Sequence, residues 1–297
     1  MAILLALLSA ALYGAADFLG GMATRRARVA PVVTVAQGSG FVLLAVMLPV
    51  LPAASPTSSD LVWGSAAGLA GGIGVALLYW GLAVGSMAIV APVSALCAVV
   101  IPVVAALMFG ERLELLTMIG MAVALIAIML VSQQTEDPDV AGGEDPQDGP
   151  VPRRRLRRPP GLGIALASGV AVGIFFLCLA RTHTTAGMWP LLVARATSTA
   201  LFGVGAAVAR ISFAWPSRVI APAVVGGAID MAANAAYILA ARSGSLSVVV
   251  TLVSMYPAST VVLSRVFLGE RFSIVQTVGI VLALIAVLMI VRGSGVL

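Results

Sequence analysis

Three ionisable residues stand well inside long apolar runs of this 297-residue sequence, Asp17, Arg195 and Asp230, and a fourth, Arg265, lies near the end of another. Such groups are costly at membrane depth and normally face a cavity or a partner. Asn234 follows Asp230 by four residues and Tyr237 by seven, so a helix puts all three on one face. A carboxylate there can bind a cationic group, exchange a proton, or act as a hydrogen-bonded strut between helices. Asp17 has Tyr13 one turn before it and Arg25 and Arg28 shortly after, so it can join the same polar site or pair at the interface. Arg195 requires an anion, which Asp230, Asp17 or a substrate carboxylate would supply. If Arg195 and an aspartate both line a cavity, each end of an amino-acid zwitterion meets an opposite charge. Gln37 is a candidate polar wall residue. Tyr79, Trp80 and Tyr256 can serve as aromatic cavity walls or as interfacial belts. Arg265, close to a helix end, is expected to snorkel.

Other chemistries have little to stand on. Cys97 and Cys178 sit singly in apolar runs, and the single His183 lies in a polar connection close to Arg181. No pair has metal-ligand or redox spacing, so no metal and no cofactor is expected. There is no Gly-x-x-x-x-Gly-Lys motif to argue for ATP. A membrane-embedded enzyme would need clustered His, paired acids or a nucleophile with its base, and the sequence shows none.

The elements that position these residues follow from composition. Hydrophobic residues make up 61% and charged residues 10% of the chain, against about 25% charged in soluble domains. Mean hydropathy is +1.10. Backbone groups in hydrocarbon must be satisfied internally, so long apolar runs read as helices of about 20 residues. Five such runs fall at Ala2–Met22, Val32–Leu51, Leu61–Ala83, Met87–Phe109 and Leu115–Val131. Five more fall at Gly161–Leu179, Trp189–Val208, Val219–Ala240, Leu246–Leu268 and Val275–Val291. The expected fold is an all-α integral membrane protein of ten transmembrane helices. Gly85-Ser86 and Ser243-Gly244-Ser245 leave room only for tight hairpins. Pro92, Pro102 and Pro257 are expected to interrupt the fourth and ninth spans and free carbonyls near the site. Gly64, Gly68 and Gly72, four apart, read as a helix-packing face. Ala2–Met22 lacks a basic start, holds Asp17 and precedes Arg25-Arg26, so it reads as a span and not a cleaved leader.

An offset of 159 residues superimposes the two sets. Gly85-Ser86 falls on Gly244-Ser245, Gly110-Glu111-Arg112 on Gly269-Glu270-Arg271, and Ala124–Ala127 on Ala283–Ala286. Gly14 meets Gly173, Gly120 meets Gly279, and with one gap Tyr79 meets Tyr237. That is a duplication. The expected domains are residues 1–132, a charged linker at 133–160 and residues 161–297. Because each unit has five spans, the second enters the membrane from the opposite side, the inverted-repeat arrangement that supplies two near-equivalent packings. The polar site is asymmetric, since the counterparts of Asp17 and Asp230 are Phe176 and Gly72. Glu111 and Glu270, at helix–helix turns, are expected to cap or to interact with helix dipoles.

All 17 basic residues are Arg, which with the abundance of Ala, Gly and Val points to a GC-rich bacterial genome and a bacterial inner-membrane location. Arg25, Arg26, Arg28, the five arginines of the linker, Arg210, Arg218 and Arg271 fall on one side. Only Arg112, Arg181, Arg242 and Arg292 fall on the other. The positive-inside bias puts both termini outside. The net +5 is thus an orientation signal and no argument for nucleic acid.

The paired turns Phe109-Gly110-Glu111-Arg112-Leu113 and Leu268-Gly269-Glu270-Arg271-Phe272, with the opening Tyr13-Gly14-Ala15-Ala16-Asp17-Phe18-Leu19-Gly20-Gly21, resemble the EamA family of the drug/metabolite transporter superfamily. The resemblance covers the chain apart from the linker. It implies a ten-helix transporter in which four helices of each half enclose a central cavity and the fifth of each is peripheral. It also implies a small-molecule substrate, with protons as coupling ion, and termini inside, opposite to the arginine bias. The resulting expectation is a secondary transporter exporting amino acids or related metabolites by alternating access, and not an enzyme. Asp17, Asp230, Asn234, Arg195, Tyr13, Gln37, Tyr79 and Tyr237 are its substrate or proton pathway. The alternative is proton-coupled efflux of lipophilic cations, which gains if Arg195 is held in an internal salt bridge.

Overall fold

A computed structural model describes residues 1–24, 27, 29–51, 55–84, 87–131, 161–210, 217–268 and 273–293. Among the described residues, eleven α-helices account for the ten spans: α1 Ala2–Thr24, α2 Val29–Met47, α3 Ser58–Val84, α4 Met87–Met108, α5 Leu115–Val131, α6 Leu162–Ala180, α7 Trp189–Val208, α8 Ser217–Ala241, α9 Leu246–Val253, α10 Tyr256–Leu268 and α11 Ile274–Gly293. Eight spans are long and apolar enough to cross a bilayer, and α5 and the end of α4 add two shorter apolar helices. The linker at 133–160 and the Gly85-Ser86 hairpin lie outside the described residues.

The ninth span is the broken one. Pro257, the second residue of α10, has no N–H to donate, so the helix stops at Ser254–Met255 and restarts at Tyr256. The expected break of the fourth span does not occur: α4 runs through Pro92 and Pro102. Each proline removes one hydrogen bond, and the helix continues past the loss while packed on α6 and α9.

Helices pack mainly on those of the opposite half: α1 on α8, α3 on α6, α4 on α6, α3 on α7, α2 on α8, α1 on α10, and α5 on α11. These contacts come in exchanged pairs. Ser9 Oγ donates to the Ala233 carbonyl at 2.8 Å, and Ser168 Oγ to the Gly74 carbonyl at 2.9 Å. Gly14 abuts Thr260 as Gly173 abuts Ile101, and Gly120 abuts Met289 and Ile290 as Gly279 abuts Leu130 and Val131. Each contact becomes its partner when every residue is replaced by its repeat counterpart. The halves are therefore inverted repeats about a pseudo-two-fold axis. Because the offset is unbroken at Gly74 and Ala233, the counterpart of Asp230 is Gly71, one residue earlier than the sequence alignment indicates.

Glycine makes this packing close. A Cβ at Gly68 would lie 2.3 Å from the Ala194 carbonyl oxygen and 2.8 Å from Thr197, and one at Gly227 would lie 2.1 Å from the Ala36 carbonyl oxygen and 2.3 Å from Ser39 Oγ. Gly64 meets Pro190 and Gly72 meets Ser198 and Phe202, so the Gly64–Gly68–Gly72 face is the α3–α7 seam. Gly203 on α7, by contrast, has open space around its missing Cβ. Gly68→Ala should lower the melting temperature in detergent by several degrees because backbone must move. Gly203→Ala should leave it unchanged or raise it, a helix-interior Gly costing roughly 0.5–1 kcal/mol relative to Ala. Differential melting of the two variants checks this.

Candidate functional site

The mid-depth polar groups form one line across four helices. Gln37 on α2 accepts from one guanidinium nitrogen of Arg195 on α7, and Asp230 on α8 pairs with the other. The Asn234 amide donates to the Asp230 carbonyl at 2.6 Å and approaches its carboxylate at 3.3 Å. Asn234 Oδ1 in turn accepts from the Tyr13 hydroxyl on α1 at 2.8 Å. Local helix geometry explains the order: Asp230 and Asn234 are one turn apart on α8, and α8 packs against both α1 and α2. The line joins two helices of each half.

Arg195 and Gln37 are repeat counterparts. The Gly68 contacts with Ala194 and Thr197 match the Gly227 contacts with Ala36 and Ser39, which sets the α2/α7 offset at the 158 residues that separate Gln37 from Arg195. Two equivalent positions that touch must lie on the pseudo-two-fold axis. The Arg195 side chain is buried, 8% exposed, whereas Asp230 keeps 30% of its side-chain surface. Arg195 is thus neutralised internally, and its requirement for an anion is met.

Asp17 lies one turn from Tyr13 on α1, half-buried, and among the described residues it has neither a hydrogen-bond nor an ion-pair partner. Arg25 and Arg28, its expected interfacial partners, lie outside the described residues. Aromatic rings flank Tyr13: Phe176 meets it edge-on at 6.2 Å and Tyr256 at 6.3 Å, and Tyr237 stacks obliquely on Phe176 at 4.6 Å. Tyr237 shares the Asp230 helix, yet it is fully buried and its hydroxyl donates to the Phe176 carbonyl at 2.6 Å. It braces α6 against α8 instead of joining the polar line. The side chain of Tyr79 on α3 lies outside the described residues. Trp80 is 55% exposed on the outer surface and lines no cavity with these groups.

Towards the end of the bundle where α1 begins lies a second polar layer, in which Asp60 and Glu111 reach from the first half to the second and Arg242 ties together loops of the second. Asp60, buried in the first turn of α3, accepts from the Thr57 and His183 backbone N–H groups at 2.9 and 2.8 Å and sits 3.0 Å from His183 Nδ1. Arg242 donates to the Gly187 and His183 carbonyls and to Thr182 Oγ1. Glu111, in the turn after α4, takes the Ser245 hydroxyl and, at 3.1 Å, the Ser247 hydroxyl, capping α9 of the other half. Asp60 was absent from the sequence candidates although Thr57-Ser58-Ser59-Asp60 carries a capping-box signature. Nothing in the sequence announced the long-range half of these contacts. Glu270 lies outside the described residues.

The sequence pattern of the EamA-like transporter family matches residues 1–133 and 159–292. A solved crystal structure of another protein aligns over 99% of this chain and 97% of its own at a TM-score of 0.71 and 17% identity, a likeness of fold alone. No curated protein matches the sequence.

Arg195 and Asp230 should fail singly and succeed together. Removing one partner of a buried pair strands the other charge, at a cost of about 3–5 kcal/mol in full burial and less where water reaches Asp230. Arg195→Met should therefore destabilise the protein strongly, and Arg195→Met with Asp230→Leu should recover most of the loss. Equilibrium unfolding in SDS-containing mixed micelles measures the difference.

Proposed function

The chain belongs to the EamA-like transporter family, and from that membership we propose that it is a secondary transporter carrying small amine-bearing metabolites by alternating access. The observation that carries this reading is the unequal treatment of the two aspartates. Asp230 is committed to Arg195, while Asp17 stands unpaired among the described residues beside Tyr13, with Tyr256 and Phe176 close to that ring. A carboxylate one helical turn from an aromatic cluster suits a cationic nitrogen, and a proton can occupy the same carboxylate when the nitrogen has left. Asp17 is then the exchange site, Arg195 and Gln37 hold Asp230, and Asn234 passes the arrangement on to Tyr13.

Amino acids and related compounds carry such a nitrogen and are the first substrate class. Efflux of lipophilic cations is favoured by a specific observation: Arg195 is engaged by Asp230 and Gln37, so its guanidinium is not free for a substrate carboxylate. Inverted repeats supply the two packings that alternating access requires. The Asp60–His183 and Glu111–Ser247 contacts, which join the halves, would hold the α1-start side together in this packing. On the arginine bias, that side faces outward, and the all-arginine, Ala-, Gly- and Val-rich composition favours a bacterial inner membrane.

Reconstituted protein in proteoliposomes, with a pH gradient and a panel of labelled amino acids and quaternary amines, tests the reading. Asp17→Asn should reduce gradient-driven flux at least tenfold with the melting temperature unchanged. Asp230→Asn should reduce flux and stability together. Wild-type flux in Asp17→Asn would remove that residue from the mechanism, and flux without counterflow would indicate a pore.

A further inference from the structure

A crevice of about 410 Å3 opens at the α1-start end of the bundle, away from the polar line. The end of α4 and its turn supply Ala106, Phe109 and Glu111, the end of α6 supplies Leu177 and Arg181, and the start of α9 supplies Leu246. It therefore spans the seam between the halves. Its floor is apolar, and its rim carries one positive and one negative group. The Arg181 guanidinium lies 3.9 Å over the Phe109 ring, which occupies one face and leaves its N–H edge available. Glu111 is held in place by the Ser245 and Ser247 hydroxyls and, at 3.4 Å, the Ser247 backbone N–H, which use three of the roughly four acceptor sites of a carboxylate and leave one. On α6, Leu166, Val170 and Ile174 continue the face of Leu177 and Arg181 at helical spacing, and all three are exposed. The crevice thus has a charged mouth at the membrane–water boundary and an apolar wall descending from it.

We propose that this crevice binds a phospholipid with a zwitterionic, amine-bearing headgroup, its phosphate on Arg181, its ammonium at Glu111 and an acyl chain along Leu166, Val170 and Ile174. Ethanolamine fits better than choline because its N–H groups can donate to the carboxylate. A lipid in that position touches both halves where Glu111 caps α9, so it stabilises the packing seen here. The inference needs only the membrane fold and stands apart from the substrate reading above.

The test uses full-length protein in nanodiscs of phosphatidylethanolamine, phosphatidylcholine or phosphatidylglycerol in a neutral-lipid background, read by native mass spectrometry and thermal unfolding. Wild type should retain one phosphatidylethanolamine several-fold more often than phosphatidylglycerol and melt several degrees higher with it. Arg181→Gln should abolish retention. Glu111→Gln keeps an oxygen and an amide for the two serines, so it should fold normally yet retain both lipids equally. Equal retention of the lipids by wild type, or unchanged selectivity in both variants, would overturn the proposal. So would equal stabilisation by soluble glycerophosphoethanolamine, which would make the ligand a free zwitterion and not a membrane lipid.

Discussion

Backbone-to-backbone approach between helices of opposite halves is the constraint from which the architecture follows. Lipid tails are as apolar as leucine, so no hydrophobic force draws helices together inside a bilayer, and van der Waals fit must do it. Gly14, Gly68, Gly169 and Gly227 each leave less than 3 Å for an absent Cβ against a helix of the other half. Neighbours within a half, such as α1 and α2 or α2 and α3, touch far less. Neither half has an interior of its own; the core is made where they meet.

That meeting brings polar groups together in three sets with different purposes. Ser9 and Ser168 join the halves symmetrically through backbone carbonyls. The line from Gln37 to Tyr13 is built from residues whose counterparts are chemically different, so it gives the symmetric scaffold one distinct site. The Asp60, Arg242 and Glu111 contacts lie at one end, where water is near and loops can satisfy charged groups. Deep burial explains why the middle layer is economical: one cation, one committed carboxylate, and amides and a hydroxyl to fill the remaining hydrogen-bond capacity.

Much of this was legible in the residues. The apolar runs located the spans because in lipid a backbone has no alternative to the helix, and the Gly-Glu-Arg turns with their flanking matches exposed the duplication. Asp230, Arg195, Gln37, Asn234 and Tyr13 were singled out by polarity at depth, and the structure joins them. The sequence could not tell whether Arg195 waits for a substrate or already has its anion, since that depends on how α7 turns against α8. Tyr237 shared the correct face but rotates into the α6 contact. The prolines of α4 were misleading because a proline's effect depends on packing around it. His183 looked like an isolated loop residue until folding brought Asp60 to it from 123 positions away.

The touching counterparts Gln37 and Arg195 have a consequence for energetics. A residue off the axis has a distant twin, and a swap of the two packings merely trades their surroundings. On the axis the twins are each other's surroundings, so the swap asks an amide to stand where a guanidinium stood. Asp230 would move to the place of Gly71, its twin, and Gly71, which has no carboxylate, to the place of Asp230. The mirror arrangement is therefore not the energetic equal of this one, and the inequality is set at the molecule's own centre of symmetry.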